Sequence, residues 1–423
     1  MKNRHASSKG MPACAVIGAG VLGLCSAIQA QRKGYRVTLY DRQPPGKGAS
    51  YGNAGYLACE LIDPLATPET LRQAPKLWLD PDGPLALPLR HLPALVPWLL
   101  RFVASARPKA LAESQKALRA LNEDAVPAWT RLLEPLGLTQ HLVKSGYMLV
   151  WESDAKQEQA KTHADYLARF NIQTQWLDKA DLVTMEPEMG AQLSHGLFFP
   201  NAWRVQEPYM LVEALYAAFL REGGRFFESA VEKVLPTGNG QAEVRSEDGS
   251  EVFDRAIICA GAWSRSLLKP LGLSVPLEAE RGYHLTYPEQ KAVLNYPMGS
   301  AERRLVMTPL ASGLRVVGMS ELGGLSLSPF KRRYEVLKKH ASALIPSLKA
   351  HSERCETWMG HRPTLPDSLP VLDRHPEHPQ IGFAFGNQHL GLTQAAISSE
   401  LLWCALDGEK APVDMAPYRV TRF

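Results

Sequence analysis

Three glycines near the N-terminus have the spacing that brings a backbone close to a phosphate. Gly18, Gly20 and Gly23 form a G-x-G-x-x-G pattern directly after the apolar run Ala13–Ile17. In this pattern the first glycine permits a tight turn, the second lets the backbone approach a pyrophosphate, and the third lets a helix pack closely on a strand. The start of the helix then offers unpaired N–H groups to the phosphates. The spacing predicts a dinucleotide site.

An acidic residue at the end of the next apolar run supports this interpretation. Asp41 follows the run 35–40, where a carboxylate accepts hydrogen bonds from ribose hydroxyls and favours FAD or NAD over NADP. One alternative is a glycine turn that only lets the helix pack on the strand and binds no nucleotide. Another is a signal peptide, because the basic start 1–10 precedes the apolar stretch 13–30. The glycines and the continuing strand pattern favour a folded βαβ unit instead.

Two further segments favour FAD over NAD as the dinucleotide. The chain has no second G-x-G-x-x-G pattern, which an enzyme that binds two nucleotides would carry. The loop 42–56, which follows Asp41, is rich in Gly, Pro, Ser and Asn, a composition that lets a backbone approach a ligand closely. A similar turn lies at 386–393. We therefore expect one long cofactor, FAD, contacted from both ends of the chain, with an NAD-dependent dehydrogenase as the last alternative.

The surrounding elements indicate an α/β protein. Short buried strands alternate with helical segments, which is typical of a parallel sheet covered by helices, whereas the Pro-rich segment 63–100 suggests an irregular excursion. We expect a Rossmann-like FAD-binding domain built from discontinuous segments with an inserted, mixed-sheet α+β substrate domain. The expected ranges are 11–62, 190–264 and 360–423 for the first domain, and 63–189 and 265–359 for the second.

Composition excludes several classes of protein. The 423 residues are 45% hydrophobic and 21% charged, with a formal net charge of +4 and scattered basic residues, so nucleic acid is not an expected partner. The six cysteines lie far apart and form no C-x-x-C pair, which argues against a metal site and against a secreted disulfide framework. The apolar stretch 92–104 is too short to span a bilayer. A cytoplasmic location is expected, with contact to a membrane surface left open.

At these residues the chain resembles the FAD-dependent amino-acid oxidoreductases of the D-amino-acid oxidase superfamily, and among them the bacterial D-amino acid dehydrogenases. The resemblance extends over essentially the whole chain. Its landmarks, in order, are VIGAGVLGL at 16–24, GASYGNAGY at 48–56, ICAGAWS at 258–264, RGYHLTYP at 281–288, WMGHRPTLPDSLPVLD at 358–373 and GNQHLGLT at 386–393.

The resemblance implies which residues lie along the cofactor. They would contact the pyrophosphate, the adenosine, the ribityl chain and the flavin ring, where N–H groups at a helix start would face the O2 region of the flavin. The set comprises Gly18, Gly20, Val21, Leu22, Gly23, Asp41, Arg42, Ser50, Asn53, Ala54, Gly55, Val231, Gly261, Trp263, Gly391, Leu392 and Thr393.

The resemblance also implies which residues meet the substrate. Arg362, in the run His-Arg-Pro-Thr, matches the arginine that binds the substrate carboxylate, and its planar fork suits bidentate recognition. Without the resemblance it would read as a surface arginine before a proline turn. Tyr283 is expected as a second donor to that carboxylate or as a pocket wall, although a tyrosine in a strand is often a core residue. His389 and Asn53 are expected to face the substrate, with a structural role for His389 equally open. His284 is a further candidate beside His389, and a structural role is open for it as well.

The implied reaction is the dehydrogenation of a D-amino acid to the imino acid, with D-proline or a hydroxyproline isomer among the first substrates to consider. Electrons would pass to a quinone or another acceptor. The alternatives are a glycine- or sarcosine-type oxidase that uses oxygen, and a flavin-binding electron-transfer subunit without turnover. The segment 63–107 resembles the matching region of the D-amino acid dehydrogenases, which often associate with the inner membrane. Its aromatic and basic residues could rest at a lipid headgroup boundary or pack beneath the substrate domain.

Overall fold

The computed structural model describes residues 10–189, 193–291 and 293–423. Most of the basic start and the domain limit predicted at residue 190 lie outside these ranges. The predicted α/β fold is confirmed, with two large sheets.

Both strands and helices are distributed along the described chain. The strands are β1 (Ala13–Ile17), β2 (Arg36–Asp41), β3 (Tyr56–Leu57), β4 (Leu85–Ala86), β5 (Leu142–Lys144), β6 (Tyr147–Trp151), β7 (Gln175–Leu177), β8 (His195–Phe199), β9 (Trp203–Val205), β10 (Arg225–Glu228), β11 (Val231–Pro236), β12 (Ala242–Ser246), β13 (Gly249–Phe253), β14 (Arg255–Ile258), β15 (Glu278–Tyr287), β16 (Met298–Ser300), β17 (Leu305–Leu310), β18 (Gly313–Leu322), β19 (Glu356–Thr364), β20 (Val371–Arg374) and β21 (Ile381–Phe385). The helices are α1 (Val21–Arg32), α2 (Pro68–Leu79), α3 (Leu92–Ser105), α4 (Pro108–Glu123), α5 (Ala125–Leu133), α6 (Gln157–Ala168), α7 (Lys179–Met185), α8 (Pro208–Arg221), α9 (Ser264–Leu268), α10 (Lys331–Leu344) and α11 (Gly391–Asp407).

The first sheet has six strands in the order β10-β2-β1-β14-β21-β20. Strand β1 pairs in parallel with β2 and β14, and β20 pairs antiparallel with β21 at the edge. Ala15 and Val16 are fully buried because both faces of the sheet are covered: Val16 packs in a cluster with residues of α1 and α11, and Ala15 packs in a cluster with residues of β12 and β13. This arrangement places the ends of β1 and β2, and the starts of α1 and α11, beside one another.

The second sheet, here the large sheet, runs in the order β19-β15-β18-β17-β16-β6-β8-β7, with β4 paired to β18. Helix α10 packs on one of its faces, where Tyr283 meets Tyr334. Two predicted limits differ from this arrangement. The segment His195–Phe199, predicted within the FAD-binding segments, pairs with β6 in the large sheet. Strand β19 also continues in this sheet to Thr364, beyond the predicted limit at 360.

The prediction of an irregular Pro-rich segment is wrong, because this segment forms helices α2 and α3. Each has a proline in its first turn, a position that needs no backbone N–H. Helix α3 buries Leu95 and Trp98 against Leu322 of the large sheet. No helix of the described ranges has the length and apolar character needed to cross a membrane.

Candidate active site

The glycine turn after β1 is as tight as its pattern predicts. Gly18 has a φ of +111°, and a Cβ on it would lie 2.3 Å from the Cys259 carbonyl oxygen. A Cβ on Gly23 would lie 1.7 Å from the Gly18 carbonyl oxygen, so α1 packs against the turn at a distance that only glycine permits. The turn, including Gly20, Val21 and Leu22, lines a cavity of about 920 Å³.

Asp41 lies beside this turn at the end of β2. Its carboxylate accepts hydrogen bonds from the Ala19 N–H at 2.7 Å and the Gln43 N–H at 3.1 Å. Burial raises its pKa above the ordinary value, and these two N–H groups act in the opposite direction. The neighbouring Arg42 guanidinium lies 3.7 Å above the Trp263 ring, a cation–π contact. The predicted residues Asp41, Arg42 and Trp263 are thus brought together in the cavity wall. Ala19 and Gln43, whose N–H groups bind Asp41, were not predicted.

The loop after β2 forms a side wall of the same cavity. Ser50, Asn53 and Ala54 line it, and the Ser50 hydroxyl accepts a hydrogen bond from the Val21 N–H at 3.0 Å. Asn53 Oδ1 accepts from the Gly55 N–H at 2.8 Å, so the predicted substrate-facing amide shapes the loop. Gly55 itself does not line the cavity: it packs against Leu310 with a φ of +77°.

Sequence reasoning missed the residue that fixes this loop. Arg315 of β18 donates from Nη1 to the Tyr51 and Asn53 carbonyl oxygens at 3.1 and 2.9 Å. Its side chain is buried and forms an ion pair with Glu207 at 3.2 Å. The large sheet therefore holds the loop 42–56 against the cavity. A charged residue inside the apolar strand pattern of β18 was the available signal.

The other predicted cofactor contacts come from three separate elements. Val231, Gly261 and Trp263 line the cavity near the glycine turn, and Gly391 and Leu392 line it at the start of α11. Thr393 does not line the cavity, and its hydroxyl accepts a hydrogen bond from the Ala58 N–H at 3.1 Å. The predicted cofactor residues therefore surround one cavity, apart from Gly55 and Thr393, which support its wall.

Arg362 also lines the cavity, from strand β19 of the large sheet. Its Nη1 donates to Glu280 Oε1 at 2.8 Å and to the Met319 carbonyl oxygen at 3.3 Å. Within the described part of the chain, the hydrogen bonds of this guanidinium use Nη1, which leaves Nε and Nη2 for a ligand. The guanidinium lies over Gly282, where a Cβ would be 2.5 Å from Arg362 Cζ.

Glu280 is a second charged residue, after Arg315, that sequence reasoning missed. It is 4% exposed, accepts from the Ser320 hydroxyl at 2.7 Å through Oε1, and accepts from the Thr364 hydroxyl at 2.8 Å through Oε2. Burial raises the pKa of this carboxyl, but Arg362, Ser320 and the other partners outweigh burial and bring the pKa below its ordinary value. An acidic residue within a strand-like stretch was the signal for it.

His389 joins this cluster, whereas Tyr283 does not. Burial lowers the pKa of His389 to about 4, with Glu280 opposing and Arg362 adding to the effect, so the imidazole is neutral at pH 7. The Tyr283 hydroxyl donates to Glu321 Oε2 at 2.6 Å on the face of the sheet that packs against α10. This engagement corrects the predicted role of its hydroxyl as a donor to the substrate carboxylate, but Tyr283 is among the residues that line the cavity, the position expected for a pocket wall.

The contacts of His284 are those of a structural residue. Its Nδ1 lies 3.2 Å from the Gly52 carbonyl oxygen, and its ring stacks on Trp358 at 5.0 Å between centroids. Burial lowers its pKa to about 3, with Arg315 acting in the same direction. This histidine therefore connects the large sheet to the loop 42–56 in its neutral form.

The geometry fits the cofactor predicted from the sequence. The cavity extends from a glycine turn that excludes any Cβ to an arginine on the large sheet, and Asp41, the helix starts and the loop 42–56 lie along it. Its volume of about 920 Å³ is that of a site for a large organic ligand. A family model described as FAD dependent oxidoreductase, the DAO family, matches residues 13–403. The chain belongs to this family.

The sequence-based resemblance to this family is thus confirmed, together with FAD as the cofactor and an oxidoreductase as the class of enzyme. The chain is 33% identical to a protein of Bradyrhizobium diazoefficiens named D-amino-acid oxidase, over 97% of this chain and 98% of that protein. It is 28% identical to a D-amino acid dehydrogenase of Cereibacter sphaeroides, over 96% of this chain and 94% of that one.

Solved structures of the same fold cover nearly the whole chain. Glycine oxidase from Geobacillus kaustophilus is similar with a TM-score of 0.75 at 20% identity, covering 97% of this chain and 99% of that one. L-proline dehydrogenase from P. horikoshii is similar with a TM-score of 0.73 at 16% identity, covering 98% of each chain. At these identities the likeness concerns the fold of this DAO-family chain.

Proposed function

We propose that this enzyme uses FAD to dehydrogenate a D-amino acid to the corresponding imino acid. The observation that carries the proposal is the Arg362 guanidinium, which Glu280 holds at 2.8 Å with its Nε and Nη2 edge left for a ligand. A planar guanidinium edge binds a carboxylate through two parallel hydrogen bonds. The relatives named D-amino-acid oxidase and D-amino acid dehydrogenase support the α-amino acid as the carboxylate in question.

The residues of this chain have positioning roles in the reaction. Arg362 fixes the substrate carboxylate, which orients the α-carbon and removes the rotational freedom that would slow the reaction. Glu280 keeps the guanidinium in place, and the neutral His389 adds no further positive charge to the cluster. Bound FAD supplies the acceptor for the hydride from the α-carbon. The substrate nitrogen loses a proton as the C=N bond forms, and water then hydrolyses an open-chain imine, whereas a cyclic imine persists.

The electron acceptor in this proposal is a quinone or another acceptor in place of oxygen, and the relatives that carry the name dehydrogenase support it. One observation favours oxygen as a second candidate: the relative at 33% identity is named an oxidase, whereas those named dehydrogenases are 25 to 28% identical among the relatives compared. Stopped-flow measurement of flavin reoxidation separates the two candidates. Rapid reoxidation by oxygen would overturn the dehydrogenase assignment, and rapid reoxidation by a quinone analogue supports it.

Peripheral contact with a membrane belongs to the same proposal. Leu79, Leu89 and Leu100 are 74%, 73% and 67% exposed on the segment that includes α2 and α3, close in sequence to the exposed Arg90 and Arg101. This combination suits an anionic lipid surface. Trp98, one of the aromatic residues of the same segment, is instead buried and donates to the Thr364 carbonyl oxygen at 3.2 Å. Co-sedimentation with anionic but not neutral vesicles supports the contact, and the absence of binding to both overturns it.

A panel of D- and L-amino acids, with glycine, sarcosine, D-proline and the hydroxyproline isomers, tests the reaction itself. The measurement is anaerobic bleaching of the flavin, followed by turnover with a dye acceptor. Bleaching by D-amino acids in preference to their L-isomers is the expected result. Bleaching by L-isomers only, or by glycine and sarcosine only, would contradict the proposal. A yellow protein that none of these compounds bleaches would instead be an electron-transfer subunit.

A further inference from the structure

A second carboxyl group lines the cavity at a distance from Arg362. Glu60 lies just after β3, and its carboxyl is close to the side chains of Tyr56 and Tyr147. The two tyrosine rings stack, with 4.2 Å between their centroids. Tyr56 is 7% exposed, and its buried hydroxyl lies beside the Glu60 carboxyl, whose pKa it lowers as a hydrogen-bond donor. The cavity thus has a second polar region, composed of one acid and one buried tyrosine hydroxyl.

No basic side chain of the described ranges forms an ion pair with Glu60. The groups that lower the pKa of its carboxyl are the Tyr56 side chain and its own backbone N–H, and Tyr147 and Cys59 lie nearby. Burial raises its pKa to about 7. Arg304 also lines the cavity, but its guanidinium is bound by Gln73 of α2 and faces Glu69 of the same helix. A half-buried carboxylate that is partly removed from water and has no cation beside it is costly to ionise, and a cationic ligand would offset that cost.

The two polar regions lie on different parts of the large sheet. Arg362 is on the edge strand β19, whereas Tyr147 is on β6, five strands further along the sheet. The Arg362 guanidinium lies over Gly282 of β15, and the Tyr147 hydroxyl lies at Gly299 of β16, three strands away. With neighbouring strands about 4.8 Å apart, the two polar groups are on the order of 14 Å from each other, a gap that an extended lysine with a hydrogen bond at each end can bridge. The wall between them includes the apolar side chains of Leu305, Val317 and Met319. A substrate that contacts both regions needs a carboxylate, a long apolar stem and a cation at the far end.

We propose that Glu60 and the Tyr56 hydroxyl receive the cationic end of the substrate side chain, so that the preferred substrates are D-amino acids with long basic side chains, such as D-lysine and D-arginine. The inference rests on the proposed function, because it takes Arg362 as the site of the α-carboxylate. It assigns the specificity of that function to a residue on another wall of the cavity.

The inference has a pH dependence with a defined sign. The Glu60 carboxyl is protonated below its pKa of about 7 and ionised above it. A lysine side chain, with an ordinary pKa of about 10.4, stays cationic throughout this range. The preference for D-lysine over an uncharged substrate should therefore rise as the pH increases from 6 to 8 (roughly one unit on either side of that value).

The experiment compares kcat/KM for D-lysine and D-norleucine, which have similar length but differ in the terminal cation. In the wild-type holoenzyme, D-lysine is expected to be preferred by about ten- to hundredfold at pH 8, the effect of one hydrogen bond to a charged group. Glu60→Gln should remove the preference and its pH dependence while the activity on D-norleucine persists. The control is Glu69→Gln, which replaces a nearby exposed glutamate outside the cavity lining and should retain both.

Three outcomes are distinguishable. Equal kcat/KM values for the two substrates in the wild-type enzyme at pH 8 would overturn the inference while leaving D-amino acid oxidation intact. The same ratio in the wild-type enzyme and Glu60→Gln would also overturn it. Failure of every D-amino acid to bleach the flavin would instead overturn the proposed function. The wild-type ratio across the pH range tests the inference even if Glu60→Gln does not fold.

Discussion

Glu280 and Arg362 are register partners on the antiparallel strands β15 and β19, and their side chains meet at 2.8 Å inside the cavity. The carboxylate is held in turn by the Ser320 and Thr364 hydroxyls. The guanidinium is therefore positioned before any substrate arrives. Less side-chain freedom is then lost on binding, so the entropic cost of substrate binding is smaller.

Replacement of Arg362 by Ala should reduce kcat/KM for D-amino acids by roughly two to three orders of magnitude, since it removes one half of a buried charged contact. The flavin spectrum should stay that of the wild-type enzyme, because Arg362 belongs neither to the glycine turn nor to the loop 42–56 that are expected to hold the cofactor. The measurement is dye-coupled turnover together with anaerobic bleaching. Arg354→Ala, at an exposed surface pair with Glu289, is the matched control and should behave as wild type. Unchanged bleaching by D-amino acids in Arg362→Ala would contradict the assignment.

Gly282→Ala tests whether the position of the guanidinium matters as well as its charge. The added Cβ would lie 2.5 Å from Arg362 Cζ, so the side chain must move away from Glu280. We expect KM for the amino acid to rise at least tenfold, about 1.4 kcal/mol, with FAD content unchanged. Gly238→Ala, where the new Cβ has no neighbour within 4 Å, is the control. A KM equal to that of the wild-type enzyme would show that the guanidinium tolerates displacement.

The cofactor end of the site could be predicted from the sequence because its signals are local. The turn at Gly18 and Gly23, the strand that ends at Asp41 and the helix that begins at Gly391 each follow from residues adjacent in the chain. The prolines of the segment 63–100 were misread, because a proline in the first turn of a helix gives the same composition as a loop.

The substrate end could be predicted only in part, because it depends on strand register. Arg362 was found through the motif around it, but its partner Glu280 is set by the pairing of β15 with β19, which a single sequence does not give. The same pairing decides that the Tyr283 hydroxyl meets Glu321 on the α10 side of the sheet. Strand β8 was assigned to the wrong domain for a similar reason, since its partner β6 lies far earlier in the chain.

Gly23→Ala should lower the FAD content of the purified protein severely. Its Cβ would lie 1.7 Å from the Gly18 carbonyl oxygen, and the atom in the way is backbone that cannot rotate aside. Helix α1 must then move away from the turn, which displaces the N–H groups that face the phosphates. The measurement is the ratio of flavin to protein absorbance, with Gly238→Ala again as the control. A Gly23→Ala protein that retains a full complement of FAD would show that the turn does not hold the cofactor.

His284 should make the folded protein sensitive to acid. Burial holds its folded-state pKa at about 3, against an ordinary value of about 6.5 for an unfolded chain. Between these values the unfolded state binds a proton that the folded state excludes, so the free energy of unfolding is highest above pH 6.5 and falls as the pH decreases toward 3. His284→Gln, which retains an amide donor for the Gly52 carbonyl oxygen, should flatten this dependence measurably in denaturant unfolding at pH 7 and pH 5. His351→Gln, at a partly exposed histidine paired with Glu289, is the control. Equal losses of stability between pH 7 and pH 5 in wild type and His284→Gln would show that another group carries the acid sensitivity.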